Sequence, residues 1–227
     1  MKTIATVFAI TLFSCSSPEP KAKTEHTFLC KNSIKFGNSS ICLPEVDGMK
    51  ECYHHPSVTK LCEQFRGKSM VLAFYINDKI YGQVGNIEEI TFDDYFAICS
   101  TDKLKDVRAS RSDLNQLSRV MEGNYIQEHW AECKRKIEKN KNYISVGRPI
   151  LIESYSLNQS INTYVTIGKN KIGNVEKVII GIGNIILVKN RLMWLLYYKD
   201  YDGEQSIKQA KAKNDYIIFQ FSDENRI

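Results

Sequence analysis

No stretch of this chain reaches the roughly 20 apolar residues that a helix needs to cross a bilayer; the main apolar run, within residues 4–13, stops well short. Beyond the first residues there is no low-complexity tract and no internal repeat, so repeat and fibrous architectures are excluded and one domain is expected. Gly-x-Ser-x-Gly and His-Glu-x-x-His are both missing, which removes two familiar hydrolase signatures. Gly181-Ile182-Gly183 has no third glycine and runs on into the strand rhythm of Asn184, Ile186 and Val188, so a nucleotide-binding loop is excluded there.

What is present begins at the N-terminus. Lys2 precedes an apolar core of Ile4, Ala5, Val7, Phe8, Ala9, Ile10, Leu12 and Phe13 that ends at small Ser14, the layout of a secretory signal. An ordinary signal ends in a small-x-small site, whereas here the cut would fall between Ser14 and Cys15. The run Leu12-Phe13-Ser14-Cys15 resembles the lipobox of bacterial lipoproteins, in which the cysteine becomes the first residue and carries diacylglycerol on its sulfur. The resemblance covers residues 1 to about 20 and implies a signal peptide at 1–14 and a lipidated Cys15. It also implies export, with anchoring in the cell envelope at the outer membrane or the outer face of the inner membrane. A secretory signal with an incidental cysteine is the alternative. Residues 15–27, with Pro18, Pro20 and several Ser and Lys, read as a flexible tether that buries no core.

Residues 28–227 are enough for a single well-filled domain, and 43% hydrophobic with 25% charged residues is ordinary globular composition. The formal net charge is +5, with one local concentration at Lys134, Arg135, Lys136, Lys139 and Lys141. Such a run meets anionic surfaces or simply faces water along a helix. The second reading suits an exported protein, and no nucleic-acid partner is expected. Six cysteines follow Cys15. Cys30, Cys42, Cys52 and Cys62 lie ten to twelve residues apart, and at least one disulfide is expected among them. Cys62 and Cys133 fall on helix stripes, where a free thiol packs as a small hydrophobe.

The periodicity predicts short strands at 28–36 and 40–43 around Gly37-Asn38, a connector over 44–53, and a helix from Pro56 bearing Val58, Leu61, Cys62 and Phe65. Strands at 70–76 and 95–99 flank a surface excursion over 77–94. Ser112 is placed to cap a helix with Leu114, Leu117, Val120 and Met121, and a second helix spans about 124–139. Strands follow at 148–155, 161–167, 175–188 and 191–199, then a closing helix from Asp202, with Asp202 and Gln205 in capping-box spacing. This order predicts an α+β fold, an antiparallel sheet with helices packed on it. In element order the domain resembles the Mog1/PsbP type, several of which are carried on exported lipoproteins.

Few residues offer chemistry. Cys52, His54, His55 and Cys62 are soft and imidazole groups close in sequence, but match no paired zinc-ligand spacing; a disulfide or free core thiols are expected instead. Cys52 with His54 or His55, or Cys133 with His129, would supply a thiol and a base without a recognisable signature. Cys52 is expected to be more accessible than Cys62. Asp200, Asp202 and Glu204 alternate as in a calcium loop, yet Gly203 comes too early and Lys211 stands where the last acid belongs. No cofactor and no metal site is expected. Tyr53, Trp194, Tyr197, Tyr198 and Tyr201 serve an interface or a sheet core equally. The functional expectation is a lipid-anchored envelope protein with a non-enzymatic binding role toward a protein or cell-wall partner, one version being an immunity or inhibitor lipoprotein. The alternative is an envelope hydrolase or thiol enzyme of unfamiliar sequence.

The lipobox resemblance makes a direct prediction. The intact mass of membrane-extracted protein should lack residues 1–14 and carry added acyl mass, and Cys15→Ala should stay unprocessed. Soluble wild-type protein with an unmodified N-terminus overturns it.

Overall fold

The computed structural model describes residues 30–65, 69–89, 92–122, 128, 131, 135, 144–172 and 175–227. Cys15, most of the helix expected at 124–139, His129 and Cys133 included, and all of the basic run except exposed Arg135 lie outside them. The fold is α+β. A hairpin, β1 (Ser33–Phe36) and β2 (Ser39–Cys42), turns on Gly37 at φ +59°. Chain order then runs β3 (Met49–Glu51), α1 (Pro56–Phe65), β4 (Ser69–Asn77), the short α2 (Asp78–Tyr81), β5 (Asp94–Thr101) and α3 (Arg111–Glu122). Strands β6 (Ile144–Val146), β7 (Ile150–Asn158), β8 (Ile161–Ile172), β9 (Val175–Val188) and β10 (Arg191–Asp200) follow, and α4 (Glu204–Asn225) closes the chain.

The main sheet has eight strands in the order β3-β4-β5-β10-β9-β8, with β6 and β7 sharing the outer side of β8, and every pairing is antiparallel. Because side chains alternate along a strand, each strand contributes to two layers. Phe96, Ile98, Ile182, Ile186, Met193, Leu195 and Tyr197 face α4 and the β1–β2 hairpin, where Phe36, Ile41, Ile217 and Phe221 complete the largest core. On the opposite face Phe74, Ile76, Ala97 and Cys99 pack against Val58 and Cys62 of α1. Tyr164, Ile185 and Leu192 pack there against Leu114 of α3. Tyr197 and Tyr198 therefore point to opposite faces: Tyr197 is buried, and Tyr198 stacks on Tyr95 at 5.0 Å.

Several boundaries differ from the sequence expectation, each for a local reason. The connector over 44–53 contains β3, whose three residues are too few to show a period. The excursion over 77–94 holds α2 and a 3-10 turn at Val84–Glu89. The cap of α3 is Ser110, not Ser112. Asp113 accepts hydrogen bonds from the Ser110 N–H (2.8 Å) and Oγ (2.6 Å), and its own N–H donates to Ser110 Oγ (3.3 Å), a reciprocal capping pair. These bonds hold the Asp113 carboxyl below its ordinary pKa. Val120 lies off the face that Leu114, Leu117 and Met121 turn to the sheet and is 40% exposed. At α4, Gly203 at φ +82° precedes the first turn, and Ser206 Oγ accepts from the Asp202 N–H (3.0 Å) in place of an Asp202–Gln205 box. Among the described residues, a Cβ on Gly181 would meet the side chains of Thr166 and Tyr198, and one on Gly183 that of Leu196.

The interface between α4 and the sheet carries a polar line through its apolar core. Asn184 on β9 and Asn214 on α4 are both fully buried. The Asn184 amide donates to Leu195 O (3.0 Å) and to Asn214 Oδ1 (2.7 Å), while the Asn214 amide donates back to Asn184 Oδ1 (3.2 Å). Thr163 Oγ1 donates to Asn184 Oδ1 at 2.8 Å, and Asn214 also reaches Asp215 Oδ1 at 3.3 Å, which accepts from Tyr155 OH at 2.9 Å. One further amide fastens the end of the helix. Asn225 accepts from Cys42 N–H (2.9 Å) and donates to Cys42 O (2.9 Å), pairing with β2 much as a strand residue would.

Leaving one buried amide without its partner costs about 1–3 kcal/mol, whereas replacing both removes the unsatisfied groups. Asn184→Leu and Asn214→Leu should each lower the stability measured by urea unfolding by at least that amount, and the double variant should lose clearly less than the sum. Additive losses would show that the two amides are not coupled.

Candidate functional site

Cys30 and Cys42 are joined by a disulfide with Cα atoms 5.5 Å apart, while Cys52, Cys62 and Cys99 are free thiols. Cys52 is not the accessible one of its pair: Cys52 is 4% and Cys62 6% exposed. The Cys52 N–H donates to Phe74 O at 2.8 Å, which extends the β3 alignment by one residue and turns the thiol inward, where Sγ contacts Phe74 O at 3.4 Å. Desolvation, with a smaller contribution from Glu51, pushes Cys52 and Cys62 up to about 12, and burial does the same to Cys99. His54 is exposed, and His55 is half-buried with Nδ1 enclosed and unpartnered among the described residues. No group of three or more His, Cys, Asp or Glu among the described residues is arranged to hold a metal. Asp200 pairs with Lys177 on neighbouring β9, and among the described residues it forms no metal-holding group with Asp202 and Glu204.

The surface that stands out was not marked by any motif. β7 is an outer strand: it pairs with β8 on one side, and no strand pairs with its other side among the described residues. Ile150, Leu151 and Ile152 are 62%, 39% and 47% exposed, and the one charge of the strand, Glu153, is tied to Lys211 on α4. Register shifts at Ile152 and at Leu157 leave those two side chains out of step with β8. Unpaired backbone donors and acceptors on such an edge can template another strand.

At the end of β7 the strand, the β7–β8 turn and the outer flank of α4 enclose a groove of about 370 Å³. Its walls are Leu157, Ile161, Ile218, Phe219 and Ile227; Asn158, Asp215, Ser222 and Asp223 are the polar groups. Phe219 is 65% exposed, because the buried stripe of α4 runs through Ala210, Asn214, Ile217 and Phe221 and leaves position 219 on the outside. Ser222 Oγ is enclosed without a hydrogen-bond partner among the described residues. Asp215 is held by Tyr155 and Asn214, and this carboxylate, with burial, raises the Tyr155 phenol above its ordinary value. Among the described residues no Lys or Arg forms an ion pair with Asp215 or Asp223. The groove therefore offers an apolar wall and two carboxylates.

No protein-family model, no curated protein and no solved structure matches the chain. The site must be read from its own chemistry. Two signals for it were available in the sequence: three consecutive apolar residues at 150–152 in a strand that otherwise alternates with polar ones, and an aromatic at 219 out of phase with the α4 stripe.

The thiols yield a pH dependence. Their folded pKa of about 12 lies above the ordinary 9.0, so the folded state binds more protons than the unfolded one between these values. Their contribution to stability should be fully present below about pH 9 and fall as pH rises from there toward 12. At neutral pH, iodoacetamide should label Cys52, Cys62 and Cys99 only after unfolding; rapid labelling of Cys52 in the native protein would contradict its burial.

Proposed function

We propose that the protein is a lipid-anchored component of the bacterial envelope that binds another protein and catalyses no reaction at this site. Its membrane attachment is the lipid on Cys15 that the lipobox resemblance implies. The observation that carries the binding role is the outer edge of β7, where Ile150, Leu151 and Ile152 are exposed, with the groove at its other end, where Leu157 and Phe219 stand beside two carboxylates, Asp215 and Asp223, free of basic partners among the described residues. A partner suited to it presents an extended segment, whose backbone adds to β7, followed by a Lys or Arg that reaches Asp223 while its stem lies along Phe219. An immunity or inhibitor protein stationed at the membrane is one form of this role. The thiol-enzyme alternative draws no support from the described cysteines, since thiols pushed up to about 12 are protonated and poor nucleophiles at neutral pH.

A photo-crosslinking residue placed at Ile152 in the full-length protein, in producing cells, should form a discrete adduct with one envelope protein. Leu157→Lys or Asp223→Lys should reduce that adduct roughly tenfold or more, the range of interface hot spots, at unchanged protein level and melting temperature. No adduct, or one indifferent to both substitutions, removes this reading.

A further inference from the structure

Of the nine residues of β7 only Tyr155 is not exposed. A long apolar edge strand of this kind is one that sheets otherwise pair, cover or blunt. Its register on β8 is close to symmetric about its middle. Glu153, Ser154, Tyr155 and Ser156 pair without a break with Val165, Tyr164, Thr163 and Asn162, and the two displaced residues, Ile152 and Leu157, flank this run at either end. The strand therefore presents the same pattern in both directions: a displaced aliphatic, four regular residues, a displaced aliphatic. Its surroundings differ in charge. Exposed Arg148 precedes the strand on the same side of β8, next to Gly147, whose N–H donates to Lys169 O. Beyond the other end lies the groove with Asp215 and Asp223.

We propose that the partner of this edge is a second copy of the chain, its β7 laid antiparallel along the first about a two-fold axis. The proposal deepens the protein-binding reading of the edge and rests on it. Centred between Ser154 and Tyr155, the pairing sets Ile152 of each copy opposite Leu157 of the other, so that bulge meets bulge and the outward N–H and C=O groups of the regular run find partners. The same register carries Arg148 of each copy past the end of the other strand to the groove, where its guanidinium meets Asp223. That is the extended segment with a base at one end that the groove suits, supplied by the chain itself. Glu153 falls opposite Ser156 of the second copy, not opposite its own counterpart, and it is already held by Lys211. Arg111 reaches the β7–β8 turn from α3, where Gln159 Oε1 accepts from it, and leaves the carboxylates of the groove to Arg148. A two-fold pairing uses the same edge of both copies, so it closes at two and does not grow into a fibre. The apolar strand supplies the contact, and the opposite charges at its two ends fix the register.

The test uses the full-length chain in producing cells, with a photo-crosslinking residue at Ile152 in one copy and an epitope tag on a second, co-produced copy. The adduct should have the mass of two chains and carry the tag. Arg148→Asp in both copies, or Asp223→Arg in both, brings like charges together at each end of the pair and should lower that adduct roughly tenfold. Arg148→Asp in one copy with Asp223→Arg in the other puts opposite charges back at each end, and the yield should return to near that of the wild type. Since the mixed pair contains the same two chains, its recovery separates a lost contact from a misfolded variant. Should either variant fall in protein level or melting temperature, Arg148→Gln and Asp223→Asn take their places; the mixed pair then keeps one native contact and should exceed both single-variant pairs. A mixed pair no better than these overturns the proposal, as does an adduct of two chains indifferent to the substitutions. An adduct with a different envelope protein overturns it while leaving the binding role of the edge standing, and no adduct at all removes both.

Discussion

The architecture depends on how α4 is held to the sheet. A helix that buries Ala210, Ile217 and Phe221 could slide or rotate on an aliphatic surface at modest cost, since apolar contact is non-directional. The reciprocal amides of Asn184 and Asn214 remove that freedom, because any shift strands buried donors and acceptors in a medium that cannot solvate them. Asn225 repeats the device one end further on, holding the helix to the backbone of Cys42. Polar groups that contribute little net stability thereby set a single register for the largest core.

That register has consequences outside the core. With Asn214 facing Asn184, Asp215 is delivered to Tyr155 on β7, and Lys211 to Glu153. Phe219 must then point outward, where it lines the groove with Leu157. The groove is the unfilled space left where a helix docked by its polar line meets a strand edge whose register shifts turn side chains aside. The clamp on Cys42 also determines where the disulfide, and through it the entering chain, meets the domain. The groove on the flank of α4 traces back to this seating of the helix.

Reading the elements from sequence worked where a period is long and unbroken. β8 with Ile161, Thr163 and Val165, β9, β10 and α1 all follow from alternation or a helical stripe. It failed where a decision belongs to a few atoms. β3 is short, the α3 cap could sit at Ser110 or Ser112, and Cys52 looked like a loop residue until the backbone bond to Phe74 aligned it with the sheet. The candidate site was barely visible, since it contains no motif, and its residues come from a strand, a turn and a helix about sixty positions apart.

The sequence by itself determined the α+β class and the apolar stripes that make a core inevitable, because these depend on residue type and on periods that neighbouring residues share. Tertiary structure alone decided which cysteines bond, which face each thiol meets and where Phe219 emerges. Those outcomes depend on distances between residues far apart in the chain. Such distances exist only once buried amides and packed side chains have excluded every other arrangement.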